Sequence, residues 1–212
     1  HDALPISLSE PEIFLTQLRA ILRASAHGKT QIMIPMLAQT HEIDLTLNLI
    51  AQAKKQLEER GIAFDPNIKI GAMIELPAAA LTLPMFLSRF DFLSIGTNDL
   101  IQYTLGIDRT DNTVANLYDP LHPAIIQLIA KIISEANAFN TSISVCGEMA
   151  GDAKLTKLLL AMGLKDFSMH ANQILVVKRE ILKSNTSKLK ARLPKILQTY
   201  NPETIKELVE KL

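Results

Sequence analysis

Four side chains able to do chemistry follow the ends of apolar runs. SISVC (142–146) closes on Cys146, the only cysteine in the chain, with Gly147 and Glu148 directly after it. Glu75 closes KIGAMIE (69–75), and Asn98 and Asp99 follow DFLSIGT (91–97). Together these types suit a hard cation, an anion and a proton. Mg2+ takes one or two protein carboxylates and fills its other positions with water and phosphate oxygens, a need that Glu75 and Asp99 meet. Each residue also has a plainer role. A lone Cys in an apolar strand is most often a small buried hydrophobe. Glu75, two residues before Pro77, could cap the helix PAAALTLPMF, and Asn98 and Asp99 could be the N-cap and first-turn acid of LIQYTLG. Capping does not account for three adjacent strands all ending in such groups.

The elements that must position them alternate in period. QIMIPML (31–37), IKIGAMIEL (68–76), DFLSIGT (91–97), TSISVCG (141–147) and KDFSMH (165–170) are short apolar runs of the buried-strand type. Helical spacing lies around them. One helix starts at Ser9-Glu10-Pro11 and runs to about Ala26; the next carries Ile43, Leu47, Ile50 and Leu57 on one face and closes at Arg60-Gly61. A third follows Pro123 with Ile125, Ile126, Ile129, Ile132, Ile133 and Ala136 as its buried stripe, and Leu155, Leu158, Leu159 and Met162 mark a fourth. Two more are expected after about Lys183, the last opened by Asn201-Pro202-Glu203. Alternating strands and helices imply an α/β fold with a parallel sheet and right-handed crossovers, whose chemistry collects at the carboxyl ends of the strands. Glu75, Asn98, Asp99 and Cys146 all fall at that end.

Composition narrows the partners. The chain has 212 residues, 48% hydrophobic and 21% charged, and its 22 basic and 22 acidic residues balance to zero net charge. Neither nucleic acid nor a membrane is an expected partner. One cysteine excludes an internal disulfide framework, and no apolar stretch reaches the roughly 20 residues that cross a bilayer, so the default expectation is a cytoplasmic protein. The chain opens on His1 rather than Met and is expected to be a piece of a longer protein. Its first six residues, HDALPI, read as translated adapter DNA, so the expected domain fragment spans 7–212.

The blocks IGAMIELPAAAL, DFLSIGTNDLIQYTLGIDRT, NLYDPLHPAI and SVCGEMAGD resemble the signature blocks of the phosphoenolpyruvate-binding domain of enzyme I, the phosphoenolpyruvate-protein phosphotransferase family of the bacterial sugar phosphotransferase system. GTNDL is shared with pyruvate phosphate dikinase and phosphoenolpyruvate synthase, whereas LYDPLHPAI and CGEMAGD favour enzyme I. The resemblance implies a partial (β/α)8 TIM barrel, with the five strands present corresponding to the fourth through eighth of eight. It also implies Mg2+ ligated by Glu75 and Asp99, and substrate phosphate held by Asn98 and Arg109. An Arg in GIDRTDN is usually a solvated loop charge, but a guanidinium fork matches two phosphate oxygens. Asp108 is expected to orient that loop rather than touch metal.

By the same resemblance Cys146 is the catalytic acid. When the phosphoryl group leaves phosphoenolpyruvate, the enolate of pyruvate must gain a proton at C3, and a thiol of pKa about 8.5 is mostly protonated at neutral pH. The phosphoryl acceptor is implied to be a histidine on a separate domain, which passes the group to the carrier protein HPr. His122 is expected at a helix start and His170 at the rim or in a turn. The resemblance further implies a homodimer in the full-length parent. Alternatives are a dikinase or synthase relative and a non-catalytic dimerisation scaffold. Three strands bearing further phosphate-binding arginines are expected to lie outside this chain. An open five-strand remnant would then expose two strand edges and an apolar inner face, so the chain alone is expected to fold poorly and be inactive.

Overall fold

The computed structural model describes residues 8–108, 111, 113–114 and 117–212. Helix α1 (Pro11–Ser25) opens with proline in its first turn, where the missing N–H costs nothing, and buries Phe14, Leu15, Leu18 and Leu22. Strand β1 (Gln31–Ile34) leads to α2 (Thr40–Glu59), at whose start the Glu42 carboxylate accepts from the N–H groups of Ala38 and Gln39. Strand β2 (Lys69–Ile74) is followed by α3 (Pro77–Leu81) and α4 (Pro84–Leu87). These two replace the single helix expected over PAAALTLPMF: Thr82 leaves helical geometry at φ −112, ψ +35, and Pro84 has no N–H to bond the carbonyl one turn back.

Strand β3 (Phe92–Gly96) runs directly into α5 (Thr97–Leu105), which ends at Gly106 in a left-handed cap, φ +66. Helix α6 (Pro123–Ala138) precedes β4 (Ser142–Cys146), and the short α7 (Glu148–Gly151) and α8 (Thr156–Ala161) precede β5 (Asp166–Phe167). The expected stripe of α6 is buried throughout. The tail is α9 (Ile174–Lys183), α10 (Thr186–Leu197) and α11 (Pro202–Glu210). The last two match the expected pair. Helix α9 buries only Val177, so its spacing carries little apolar signal.

All five strands are parallel and pair in chain order, β1-β2-β3-β4-β5, as an open arc of barrel with β1 and β5 at its edges. Ile32, Ile34, Ala72, Ile74, Leu93, Ile95, Ile143 and Val145 are buried in the core formed with the helices. The opposite, inner face departs from expectation: besides Met33 and Phe92 it carries Gln31, Lys69, Ser94, Ser142 and Ser144. Leaving such a face in water costs far less than leaving a stripe of Ile and Val there. Among the described residues no helix is long and apolar enough to cross a membrane.

Candidate functional site

Register decides what meets at the carboxyl rim. Ile74 lies opposite Ile95 and Gly96 opposite Cys146, so β2, β3 and β4 finish level with one another. Side chains of equal parity on neighbouring strands point to the same face. Glu75, the start of α5 and Cys146 therefore face one another across two strand spacings.

Glu75 is 3% exposed. It does not cap α3, whose N-cap is Leu76. Its Oε1 accepts the Met36 N–H at 2.8 Å, and Met36 itself sits at φ +59, a region that methionine rarely adopts. Gly96 gives the carboxylate its room: a Cβ there would lie 2.8 Å from Oε2. Asp99 occupies the first turn of α5, where an acid was expected, and its carboxyl is within hydrogen-bonding reach of Glu75. Burial pushes the Glu75 carboxyl above its ordinary value, against the lowering effect of the Met36 N–H, and the charge of Asp99 and the hydrogen bond with it push it further up.

Two carboxyls this close either share a proton or share a cation. Among the described residues no Lys or Arg forms an ion pair with Glu75 or Asp99. Nor do the described residues hold a cluster of three or more His, Cys, Asp and Glu arranged for a metal. A pair of oxygen donors with no third protein ligand among the described residues fits Mg2+, which keeps water and substrate oxygens in its shell, and does not fit a structural Zn2+ site with four protein ligands.

The raised Glu75 carboxyl predicts a pH effect. With its pKa raised in the folded state, Glu75 binds its proton more tightly folded than unfolded, so its ionisation lowers stability as pH rises from 4.5 through the folded value. In thermal melts without Mg2+, Glu75→Gln is expected to lower the melting temperature less than wild type does between about pH 5 and about pH 8, and added Mg2+ to shrink the wild-type decline. Parallel curves for the two proteins, with and without Mg2+, would contradict this.

Cys146 is half-buried rather than enclosed as a core hydrophobe. Its Sγ accepts from Ser94 Oγ at 3.5 Å and donates to the Ile95 carbonyl at 3.4 Å, while Ser144 Oγ donates to Ser94 Oγ at 3.0 Å. Burial pushes the thiol's pKa up, Ser94 opposes this, and the charges of Glu75 and Asp99 add to it. The thiol is thus held in its protonated form, the form a general acid needs. Cavities of about 870 Å3, lined by Asn98, Tyr118, Lys154, Ser168 and His170, and of about 440 Å3 on the inner face both reach Cys146.

Asn98 is not the N-cap of α5; Gly96 is. Its Oδ1 instead accepts from the Glu148 N–H at 3.0 Å and the Tyr118 hydroxyl at 3.3 Å. Thr97 Oγ1 donates to the Cys146 carbonyl at 2.8 Å, tying the ends of β3 and β4 together. Gly147 makes this closeness possible: it stands at φ +86, and a Cβ there would be 2.6 Å from Thr97 Oγ1 and 2.8 Å from Asn98 Oδ1. Gly147→Ala is expected to cost about 1–3 kcal/mol of stability from backbone strain alone and to displace Asn98. A melting curve and a substrate KM both unchanged would show that the rim tolerates the extra carbon.

The rim therefore gathers Glu75, Asn98, Asp99 and Cys146, whereas Arg109 lies outside the described residues. His122 caps α6, its Nδ1 accepting the Ala124 N–H, and His170 stands before a short turn at the exposed mouth of the larger cavity. Sequence reasoning missed Met36, Ser94, Ser144 and Tyr118. The serines carried a signal, standing at period two before Cys146 and Gly96 on the inward face. Met36 carried none, since it contributes only a backbone N–H.

A family model described as the PEP-utilising enzyme, PEP-binding domain (PEP, phosphoenolpyruvate) matches residues 1–186. The chain is 61% identical over 201 residues to the phosphoenolpyruvate-protein phosphotransferase of Cupriavidus necator, covering 95% of this chain and 34% of that protein. It is 40% identical to the protein of that name from Bacillus subtilis, over 100% of this chain and 37% of the relative. The chain thus spans little more than a third of the length of these relatives. Among solved structures, a citrate lyase from Burkholderia xenovorans LB400 superposes with a TM-score of 0.58 over 93% of this chain and 67% of that one, at 18% identity, a likeness of fold alone. With 186 of its 212 residues matched, the chain belongs to the PEP-utilising enzymes, through their PEP-binding domain.

Proposed function

We propose that residues 7–212 are part of the phosphoenolpyruvate-binding domain of a phosphoenolpyruvate-protein phosphotransferase, with residues 1–6 non-native. The parent would be a cytoplasmic homodimer that takes the phosphoryl group from phosphoenolpyruvate onto a histidine of a separate domain, passes it to HPr and releases pyruvate. The observation that carries the reading is the approach of Glu75, Asp99 and Cys146 to one another at the ends of adjacent strands.

The residues divide the work by chemistry. Glu75 and Asp99 would hold Mg2+, which when bound offsets the negative charge of the phosphate and the developing enolate. Asn98 would donate from its amide to a phosphate oxygen, and Arg109 would grip two such oxygens with its fork. Once the C–O–P linkage has broken at the O–P bond, the enolate carries an electron pair to C3. The Cys146 S–H bond breaks as a C3–H bond forms, leaving pyruvate and a thiolate that the Ser94 hydroxyl stabilises by donation.

The test is phosphoryl transfer by the full-length parent. Incubated with phosphoenolpyruvate, Mg2+ and HPr, with and without AMP and pyrophosphate, it is expected to phosphorylate HPr and release one pyruvate per phosphoryl group. A parent that leaves HPr unmodified and instead charges a nucleotide is a dikinase or synthase relative, and one that does neither is a scaffold; each outcome contradicts the proposal.

A further inference from the structure

The two ends of an amide are unlike, and only one of them can hold an anion. Nδ2 donates hydrogen bonds, whereas Oδ1 is negative like a phosphate oxygen and repels it. In Asn98 the Oδ1 end is occupied from two directions, by the Glu148 N–H at 3.0 Å and by the Tyr118 hydroxyl at 3.3 Å. A backbone N–H can only donate, so the atom facing it is the carbonyl oxygen, and the orientation of the amide follows from chemistry rather than from the shape of the group. The two donors come from separate elements, the first residue of α7 and the segment ahead of α6. Gly147, where a Cβ would lie 2.8 Å from Oδ1, keeps the space around that oxygen clear. Among the described residues no hydrogen bond takes Nδ2, which leaves that end for a ligand, and both Asn98 and Tyr118 line the 870 Å3 cavity that Cys146 also reaches.

We infer that Tyr118 is a positioning residue for phosphate binding: with the Glu148 N–H, its hydroxyl locks the Asn98 amide so that Nδ2, not Oδ1, meets the phosphate. This rests on the proposed contact of Asn98 with substrate phosphate. Without the hydroxyl a single donor holds the carbonyl, and a wrongly turned amide puts a negative oxygen against the anion. The cost falls on substrate binding, since the hydroxyl acts through the Asn98 amide.

The experiment is a double-mutant cycle in the full-length parent, read as KM and kcat for phosphoenolpyruvate, with Tyr118→Phe, Asn98→Ala and the combined variant. Tyr118→Phe is expected to raise KM about three- to tenfold with kcat within about twofold. Asn98→Ala should raise KM further, and adding Tyr118→Phe to it should do nothing more. If Asn98→Ala leaves KM unchanged, the phosphate contact itself is wrong and the inference falls with it. If Asn98→Ala raises KM but Tyr118→Phe does not, the contact stands and the positioning role is refuted. A Tyr118→Phe loss that persists undiminished in the Asn98→Ala background, including one from poor folding, comes from packing of the ring and equally overturns the inference.

Discussion

Cys146→Ala in the full-length parent is expected to lower turnover of phosphoenolpyruvate by about 10²- to 10⁴-fold, the loss typical of a missing general acid. The physical basis is the protonation state of the thiol. Burial and the two nearby carboxylates hold the sulfur in its S–H form, while Ser94 stands ready to stabilise the thiolate left after donation. Alanine removes the proton but leaves Glu75, Asp99 and Asn98 in place, so KM for phosphoenolpyruvate should stay within a few-fold and the loss should fall on kcat. Cys146→Ser separates acid from packing. A hydroxyl can keep the Ser94 and Ile95 hydrogen bonds but is a far weaker acid, so steady-state kinetics should show it nearly as impaired as alanine. Near-normal turnover by the serine variant would reduce Cys146 to a space-filler.

Asp99→Ala should produce a different failure. It removes one of two carboxylates and, although burial still raises Glu75, relieves the further push that Asp99 adds, so the variant is expected to melt no lower than wild type without Mg2+ while losing metal-dependent function. Changes in groups that only support a ligand already cost about 10- to 100-fold in metal affinity or activity, so losing a carboxylate of the pair should exceed about 100-fold in the Mg2+ concentration needed for half-maximal rate. Titrating Mg2+ in a transfer assay measures this. An unchanged Mg2+ requirement would mean that the carboxyl pair is a proton-sharing pair and not a cation site.

What sequence could reveal follows from the kind of signal each feature leaves. Strands β1 to β4 are apolar runs between helices with strong stripes, and they appear where the runs lie. In β5 the run KDFSMH pairs over only Asp166–Phe167, continued by a single bond from the Ser168 N–H to the Val145 carbonyl. The apolar pattern there marks a chain segment near the sheet, not the extent of its ladder. At the inner face, alternation was overridden by the expectation that a barrel interior is apolar, whereas Gln31, Lys69, Ser142 and Ser144 at alternate positions already spelled a polar one.

The site was legible wherever a side chain interrupts an apolar run. Glu75, Asn98, Asp99 and Cys146 were found that way, and their plainer roles mostly fail in the structure, since Glu75 and Asn98 cap no helix. Illegible were contacts made by backbone or by ordinary residues brought from afar. The Met36 N–H reaches Glu75 across 39 positions and Tyr118 reaches Asn98 across 20. No local spacing encodes either meeting; the register of β1 on β2 creates the first and the approach of the segment ahead of α6 to α5 the second.

The convergence of carboxyl pair and thiol on one ligand is tested most directly by protection of Cys146 from iodoacetamide in the full-length parent, followed by mass spectrometry of the SISVCGEMAGD peptide. Phosphoenolpyruvate and Mg2+ together are expected to slow alkylation strongly, either one alone to do little, and Asp99→Ala to abolish the protection. Alkylation that proceeds at the same rate with both present would place the ligand elsewhere and contradict the account.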